Sequence, residues 1–556
     1  MQNILKLIKV VYFVESSRLI AHSSRLFFCI LTFNFLTFNY SRAQSNIDVL
    51  HYKFEIELSD KSDTIKGKAF VTVQFTEPSS RFELDLTSTN GKGKGMIAYL
   101  VNEHNEAISS THGHDSLLIH LKTMAKKAET RTFEILYQGV PSDGLIISKN
   151  PYGDRTFFAD NWPNRAHNWI PCKDEPGDKA SFEFIVTAPA QYKVVSNGRL
   201  EEEKMMNDNT KLTHWIEDVS LSTKVMVIGV AKFAVKQFED SPPGIPVSAW
   251  TYVQDSAIGF QNYAVAPRII KFYSDYIAPY PYNKLANVQS KTIFGGMENA
   301  SAIFYFEQSA EQPRSPEDII AHEIAHQWFG DMASEKSFAH LWLSEGFATY
   351  FENTYLGHQY GADSMTKRFM EDREKVIEFA KQSDRPVVDS LSPFMNLLNP
   401  NSYQKGGWVL RMLHLQMGDS VFQMFIRTYY DRFKGKNADT DDLEKIAEEV
   451  SKKDWKQFFT QWLYKPGIPQ LSVQWEYNEK DKTVSVTVNQ LQTAGVFQFP
   501  LQLAIESQTA KEKLVTLQVS KPSETFSIDG VDEGVTLTID PLVSLLYDGT
   551  IQKINR

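Results

Sequence analysis

His322-Glu323-Ile324-Ala325-His326 is the stretch that decides both the fold and the chemistry of this chain. On an α-helix, positions i and i+4 lie one turn apart on one face, so His322 and His326 can hold one metal ion between them. Glu323 then lies beside that ion, where a carboxylate can take a proton from water. The spacing therefore predicts a zinc site on a helix.

Two histidines make an incomplete catalytic zinc site, because such a site takes three protein ligands and leaves one position open. Glu345 lies nineteen residues beyond His326. Ser344 can cap a second helix, whose first turn would hold Glu345 against the metal. A glutamate also favours a helix N-terminus without any ligand role. Paired with the two histidines, the ligand interpretation is preferred, and we predict one Zn²⁺ per chain bound by His322, His326 and Glu345.

Three further motifs accompany the zinc pattern, and together they resemble the gluzincin zinc metallo-aminopeptidase family, which includes aminopeptidase N and leukotriene hydrolase. They are Gly295-Gly296-Met297-Glu298-Asn299, Tyr403-Gln404-Lys405-Gly406 and Pro171-Cys172-Lys173-Asp174-Glu175-Pro176. The motifs occur in the family's order, and the resemblance extends over nearly all of the chain beyond its first 45 residues. It implies a zinc-dependent aminopeptidase, a hydrolase that cleaves the N-terminal peptide bond of a peptide.

The resemblance also implies a role for each catalytic side chain. Water activated by the metal attacks the scissile carbonyl, with Glu323 as the general base. The phenol of Tyr403 stabilises the oxyanion that this attack produces. Glu352, two turns after Glu345, is expected to accept a hydrogen bond from a metal-binding histidine.

Substrate binding is assigned to the glycine-rich motif by the same resemblance. Glu298 is expected to pair with the free α-ammonium group of the substrate, which distinguishes an exopeptidase from an endopeptidase. The backbone of Gly295, Gly296 and Met297 would run along the substrate like an added strand, and Asn299 is a further predicted contact. The family supplies a second anchor for the ammonium group from a glutamine shortly before the Pro-Cys motif. Residues 160–165 contain no glutamine, so that anchor is unassigned.

The spacing of apolar residues predicts an α+β multidomain fold. Alternation with period two indicates an N-terminal, mainly β domain at 46–252. Spacings of three and four indicate a helical domain at 253–465, which the resemblance implies is thermolysin-like and catalytic. Alternation returns at 466–556, a length that suits a small C-terminal β-sandwich.

Composition and charge exclude several classes of protein. The chain has 556 residues, of which 42% are hydrophobic and 23% charged, so it is globular rather than disordered. Its formal charge of −10 repels nucleic acid, and no nucleic-acid partner is predicted. The predicted partners are peptides with a free N-terminus, while the oligomeric state and the preferred substrate side chain stay open.

Residues 1–43 have the pattern of a secretory signal. A basic region is followed after Arg25 by an apolar stretch of about 15 residues and a small-residue exit near Ala43. The alternative is an uncleaved membrane anchor, but a span needs about 20 apolar residues and Asn34 and Asn39 interrupt this stretch. We therefore expect export, to a periplasm or to the medium, with no membrane span after cleavage and Cys172 as a buried, unreactive thiol.

Two other functions are compatible with these motifs. A zinc endopeptidase would use the same metal site, although Glu298 argues against it. A non-catalytic peptide-binding relative would keep the fold, but such proteins typically lose metal ligands, and all the predicted ligands are present here.

Overall fold

The computed structural model describes residues 45–89, 93–507 and 513–554, and the predicted signal at 1–43 lies outside these ranges. Asn46–Arg556 forms one compact unit. Within the described ranges, no helix has both the length and the apolar character needed to cross a bilayer.

The first part of this unit is built from strands. Strands β1 to β17 are, in order, Ile47–Ser59, Ser62–Phe75, Ser79–Asp85, Gly95–Glu103, Glu106–Ala107, Ser110–Gly113, Ser116–Ala125, Thr130–Val140, Leu145–Lys149, Arg155–Ala159, Lys179–Pro189, Lys193–Ser196, Arg199–Met205, Thr210–Ser222, Ile228–Ala231, Phe233–Gln237 and Val247–Tyr252. One sheet has eight strands in the order β13-β14-β11-β1-β2-β8-β4-β5, and two smaller sheets have the orders β12-β15-β10-β9 and β3-β7-β6. In β1, alternate residues such as Phe54 and Ile56 are buried, so the period-two pattern marks the inner face of the sheet.

The middle part is mainly helical. Helices α1 to α9 are Ser256–Asn262, Ala266–Tyr276, Glu317–His326, Trp342–Tyr360, Ala362–Ala380, Gly406–Met417, Asp419–Phe433, Thr440–Ser451 and Lys456–Phe459. Strands β18 to β22 are Leu285–Gln289, Gly296–Met297, Ala302–Tyr305, Ala333–Glu335 and Lys436–Ala438. Helix α4 packs against α3, α5 and α6. Apolar contacts hold this part together, as between Phe329, which follows α3, and Phe347 on α4, whose ring centroids lie 4.6 Å apart.

A five-stranded sheet in the order β16-β17-β18-β20-β19 joins the first two parts. Strand β17 is parallel to β18, with Val247 opposite Leu285. The predicted boundary between residues 252 and 253 therefore falls between two strands of one sheet. Strands β18 and β20 are short and buried on both faces, so they lack the alternation that predicts a strand. At the end of this sheet lies β19, within the predicted substrate-binding motif.

The last part is again built from strands. Strands β23 to β29 are Gln470–Asn478, Thr483–Gln490, Phe499–Glu506, Lys513–Val519, Ser523–Asp529, Thr536–Ile539 and Asp548–Lys553. They form a four-stranded sheet, β27-β24-β23-β29, and a three-stranded sheet, β26-β25-β28. Alternate residues of both sheets are buried, among them Val486 and Leu503, which agrees with the predicted small β-sandwich. Arg411 on α6 holds this part to the helices by donating a 2.8 Å hydrogen bond to the carbonyl of Val543.

Candidate metal centre

Helix α3 carries the two histidines on one face. It begins at Glu317, directly after Pro316, and ends at His326. The rings of His322 and His326 have centroids 4.8 Å apart, one helical turn along the same side. Both histidines therefore face the same space, as the spacing predicts.

Glu345, the third predicted ligand, lies in the first turn of α4. Its Oε2 lies 3.3 Å from Nε2 of His322 and 3.2 Å from Nε2 of His326. The three ligand atoms lie within 4.8 Å of one another, and both His326 and Glu345 are buried. Two imidazole nitrogens and one carboxylate oxygen that converge on one point fit Zn²⁺, a borderline-soft cation that takes these donors.

The other nitrogen of each histidine ring is also engaged, and these contacts fix the orientation of the rings. Nδ1 of His322 lies 3.2 Å from Oε2 of Glu352. Nδ1 of His326 lies 3.1 Å from the carbonyl oxygen of Phe329 and 3.0 Å from Oγ of Ser344. Each Nε2 is thereby directed at Glu345 rather than away from it. Glu352 is thus in contact with the ring of His322, and Arg368 donates a hydrogen bond to its second oxygen.

The predicted cap at Ser344 is wrong. Helix α4 begins at Trp342 and follows the short 3₁₀ turn Phe338–His340, so Ser344 lies inside the first turn of the helix. Its hydroxyl is buried against Nδ1 of His326. A serine that is read from the sequence as a cap thus supports a metal-binding ring.

Glu323 is buried beside the metal ligands. Burial is the main reason that its pKa is raised from the ordinary value, and the carboxylates of Glu298 and Glu345 raise it further. The backbone of β19 passes directly against this carboxyl group, because a Cβ added at Gly296 would lie 2.2 Å from Oε1 of Glu323. A side chain at position 296 would have to displace Glu323, so glycine lets the predicted general base lie directly against the edge strand.

Tyr403 reaches the site from a π-helical segment, Asn401–Lys405, which directly precedes α6. Its ring stacks on that of His322 at 5.9 Å between centroids, with the planes 16° apart. Burial raises the pKa of the phenol well above its ordinary value, and the carboxylates of Glu345, Glu298 and Glu323 add to this effect. The hydroxyl therefore keeps its proton and can donate a hydrogen bond.

Glu298 places a carboxylate next to this centre. Its side chain is 5% exposed, and Oε1 has no hydrogen-bond partner within the described part of the chain. A buried carboxylate oxygen without a partner is costly, so a water or a ligand has to complete it, and its negative charge suits a cationic group. Strand β19, which ends one residue earlier, is paired with β20 on one side only, so its outer edge can bind an extended peptide.

Asn299 does not reach the cavity that these residues form. Its side chain is fully buried, and it is absent from the residues that line the cavity. The chain turns inward here, since Ser301 has a φ of 61° and the next residue begins β20. The prediction of Asn299 as a direct substrate contact therefore disagrees with the geometry.

The cavity has a volume of about 300 Å³ and two kinds of wall. Carboxylate side chains come from Glu298, Asp318, Glu323, Glu345 and Glu352. Apolar side chains come from Trp162, Phe294, Met297, Ile319 and Leu398. Of this apolar set, only Met297 is in a motif that the sequence assigns to substrate binding.

Trp162 comes from residues 160–165, the segment in which the expected glutamine is missing. The same segment braces the loop before β19. Asp160 accepts a 3.1 Å hydrogen bond from the backbone N–H of Ile293. It also forms a 2.9 Å ion pair with Arg165. Its carboxylate is thus used for structure, and the second ammonium anchor stays unassigned. The missing glutamine is the only signal in the sequence that marks this segment.

Two family models and several curated proteins match this chain. A model described as the peptidase M1 N-terminal domain matches residues 49–225, and one described as the peptidase family M1 domain matches residues 261–462. Glutamyl aminopeptidase of Rattus norvegicus is 30% identical over 343 residues, which cover 58% of this chain and 36% of that protein. Aminopeptidase M1-C of Oryza sativa subsp. japonica is 28% identical over 366 residues, which cover 63% of this chain and 42% of that protein. The match thus spans less than half the length of either relative.

Solved structures show the same fold. Aminopeptidase A of Legionella pneumophila, in complex with aspartic acid, has a TM-score of 0.79 at 17% identity over 92% of this chain and 60% of that chain. A mutant M1 zinc metallopeptidase from Deinococcus radiodurans has a TM-score of 0.66 at 21% identity over 76% of this chain and 96% of that chain. The predicted fold class is confirmed.

Proposed function

Because the chain belongs to peptidase family M1, we propose that it is a zinc-dependent aminopeptidase, which hydrolyses the first peptide bond of peptides with a free N-terminus. The two family models together match more than half of the chain. The observation that carries the proposal is the unpaired, buried carboxylate oxygen of Glu298 in the same cavity as the predicted zinc ligands.

The metal is assigned to His322, His326 and Glu345. A bound zinc ion acts as a Lewis acid on the scissile carbonyl and lowers the pKa of water to near neutrality. Glu352 keeps the imidazole of His322 in the tautomer and orientation that a ligand needs.

Glu323 moves the proton. Its carboxylate takes a proton from the attacking water and passes it to the leaving amine. Glu323 lines the same cavity as the predicted zinc ligands, which places its carboxylate where the attacking water has to lie. Its place against β19 puts it beside the backbone of a peptide bound along that edge.

Tyr403 stabilises charge during the reaction. Attack on the carbonyl carbon leaves negative charge on the oxygen, and a protonated phenol aimed at that oxygen lowers the energy of the transition state. The stack on His322 holds the ring beside the reacting carbonyl.

Glu298 makes the enzyme an exopeptidase in this proposal. A free α-ammonium group would satisfy its unpaired oxygen with a charge-assisted hydrogen bond. An internal peptide segment or a blocked N-terminus offers no cation, and it would leave the carboxylate buried and unpaired. The outer edge of β19 would bind the main chain of the substrate and fix its direction.

Hydrolysis of aminoacyl 4-nitroanilides by the zinc-loaded full chain tests this function. Matched N-acetylated amides, a chelator and the variant Glu298→Ala accompany the panel, with Glu311→Ala on the surface as the control. We expect chelator-sensitive cleavage of the free amides only, lost in Glu298→Ala and retained in Glu311→Ala. Cleavage of the acetylated set would favour the endopeptidase, and no cleavage by folded, zinc-loaded protein would favour the non-catalytic peptide-binding relative.

Export is a separate part of the proposal. It is supported by the basic and apolar pattern of residues 1–43. N-terminal sequencing of the protein recovered from its source is the test. We expect a mature chain that starts near Gln44, whereas an intact start at Met1 in a membrane fraction would indicate the uncleaved anchor.

A further inference from the structure

Three aromatic rings pack together on the apolar side of the cavity, and we define Trp162, Phe294 and Phe338 as the aromatic wall. The ring of Trp162 meets Phe294 at 5.7 Å and Phe338 at 5.8 Å between centroids, both edge to face. Three separate chain segments meet here, so their mutual packing makes the wall rigid. Trp162 and Phe294 line the cavity directly.

The aromatic wall presents carbon to the cavity. Trp162 is 2% exposed, and its indole nitrogen is fully covered by the protein. The ring of Phe294 remains half-buried, and Leu398 lines the cavity as well. A ligand group that fills this side of the cavity therefore meets apolar surface, which stabilises it by about 25 cal/mol per Å² of apolar area buried.

No side chain here offers a free positive charge to a ligand. Among the described residues that line the cavity, none is lysine or arginine. The guanidinium of Arg165 lies over the ring of Phe294 at 5.8 Å, but it is paired with Asp160 at 2.9 Å and with Asp143 at 3.0 Å. The charge of Arg368 is likewise already paired, in this case with Glu352.

The carboxylates of the cavity add a repulsive contribution. Four of the five have a place in the proposed reaction, as metal ligand, general base, ammonium partner or support for His322. The fifth, Asp318, is exposed on the first turn of α3. A ligand carboxylate on the apolar side would lose its hydration and would find no lysine or arginine to pair with among the described lining residues, which disfavours acidic groups.

The first residue of a bound peptide is held at both of its ends in the proposed reaction. Glu298 binds its ammonium group, and its carbonyl lies at the metal ligands. Its side chain must then take the part of the cavity that these groups leave free. Trp162 and Phe294 of the aromatic wall offer that side chain an apolar surface in the same cavity.

We infer that this site selects peptides whose first residue has a large apolar side chain and discriminates against N-terminal aspartate and glutamate. Phe294 and Trp162 are the specificity-determining side chains. The inference rests on the proposed aminopeptidase function and names its substrate class. Pocket contacts of this kind change kcat/KM by about 10- to 200-fold for each methylene group gained or lost.

Relative kcat/KM values for leucyl, phenylalanyl, alanyl, lysyl and glutamyl 4-nitroanilides test the inference on the zinc-loaded full chain. We expect kcat/KM for the leucyl and phenylalanyl amides to be about 10-fold higher than for the alanyl and lysyl amides. It should be about 100-fold or more higher than for the glutamyl amide. A glutamyl amide among the best substrates would overturn the inference. So would a lysyl amide among the best, which would assign the preference to Asp318.

Two variants at Phe294 distinguish a change in substrate specificity from a general loss of folded protein. Phe294→Ala should lower kcat/KM for the phenylalanyl amide by about 10-fold. It should change kcat/KM for the alanyl amide by less than about 3-fold. Phe294→Lys should raise kcat/KM for the glutamyl amide relative to that for the leucyl amide by about 10-fold. A misfolded protein cannot show such a gain. Ile293→Ala is the matched control, since this neighbour is 61% exposed and does not line the cavity.

The outcomes distinguish the two proposals. If the chain hydrolyses no free aminoacyl amide, the proposed function fails. If it hydrolyses the amides but Phe294→Ala lowers all of them equally, the function stands and the role of the aromatic wall is wrong.

Discussion

The side-chain amide of Gln327 donates a 2.7 Å hydrogen bond to the backbone carbonyl of Glu298. The oxygen of the same amide accepts a 2.7 Å hydrogen bond from the backbone N–H of Ser301. Gln327 is fully buried and directly follows His326 on the chain. One side chain therefore links the predicted metal centre to the backbone of Glu298, the residue proposed to bind the substrate ammonium.

Gln327→Ala should loosen Glu298 without removing it. The variant removes the partner of the Glu298 carbonyl, of the Ser301 N–H and of Oδ2 of Asp331, and each buried group left unpaired costs about 1–3 kcal/mol. We expect KM for free aminoacyl amides to rise about 10-fold while kcat changes less, because ammonium binding is weakened more than the chemical step. Steady-state kinetics on the folded, zinc-loaded variant measure this split.

Gln461→Ala is the matched control for that prediction. Gln461 is equally buried, but it bonds the backbone of Gln498, directly before β25, instead of the site. It should lower the melting temperature and leave KM unchanged. Equal KM values in both variants would show that Gln327 has only a structural role.

Tyr403→Phe should keep the stacked ring on His322 and remove only the phenolic hydroxyl. Loss of one oxyanion donor typically lowers kcat by about 10²- to 10³-fold. We expect a decrease of that size, with KM and bound zinc within about 2- to 3-fold of the wild type. Rate assays beside metal analysis of the same sample check this, and a kcat within 10-fold of the wild type would exclude Tyr403 as the oxyanion donor.

Arg368→Ala should weaken zinc binding from a distance. Arg368 donates to Glu352, which holds Nδ1 of His322. Loss of an outer partner of a metal ligand typically costs about 10- to 100-fold in metal affinity. Competition with a chromogenic chelator measures the zinc Kd, and Lys367→Ala on the exposed face of the same helix is the control. An unchanged Kd in Arg368→Ala would contradict the proposed support of His322.

The metal centre is the part of this molecule that the sequence predicts best, for a physical reason. His322 and His326 differ by one helical turn, and Glu345 and Glu352 by two, so each pair shares a helix face wherever the helix lies. Local spacing therefore specifies four of the side chains that the structure brings together. Their convergence is set by the packing of α3 against α4.

Residues that depend on contacts between distant segments are not predictable in this way. Asp160 and Ile293 are 133 residues apart, and only the folded chain places Trp162 on the cavity wall. The same holds for Gln327, which looks in the sequence like an ordinary polar residue after the zinc motif. The turn at Ser301 that buries Asn299 has no local signal either, because serine seldom adopts a positive φ.

Lys405 lies two residues after Tyr403. Its burial predicts how the stability of the fold depends on pH. Its ammonium group is 1% exposed and donates a 2.9 Å hydrogen bond to the carbonyl of Gly467, and burial lowers its pKa from 10.5 to about 7. Between these two values the unfolded chain binds more protons than the folded one, so this group makes folding more favourable as pH rises from about 7 to about 10. Lys405→Met removes that contribution, so the stability of the variant relative to the wild type should be greater at pH 7 than at pH 9.5. Urea unfolding at both pH values measures the difference, with the exposed Lys436→Met as control. A gap between variant and wild type that is the same at both pH values would show that Lys405 does not titrate in this range.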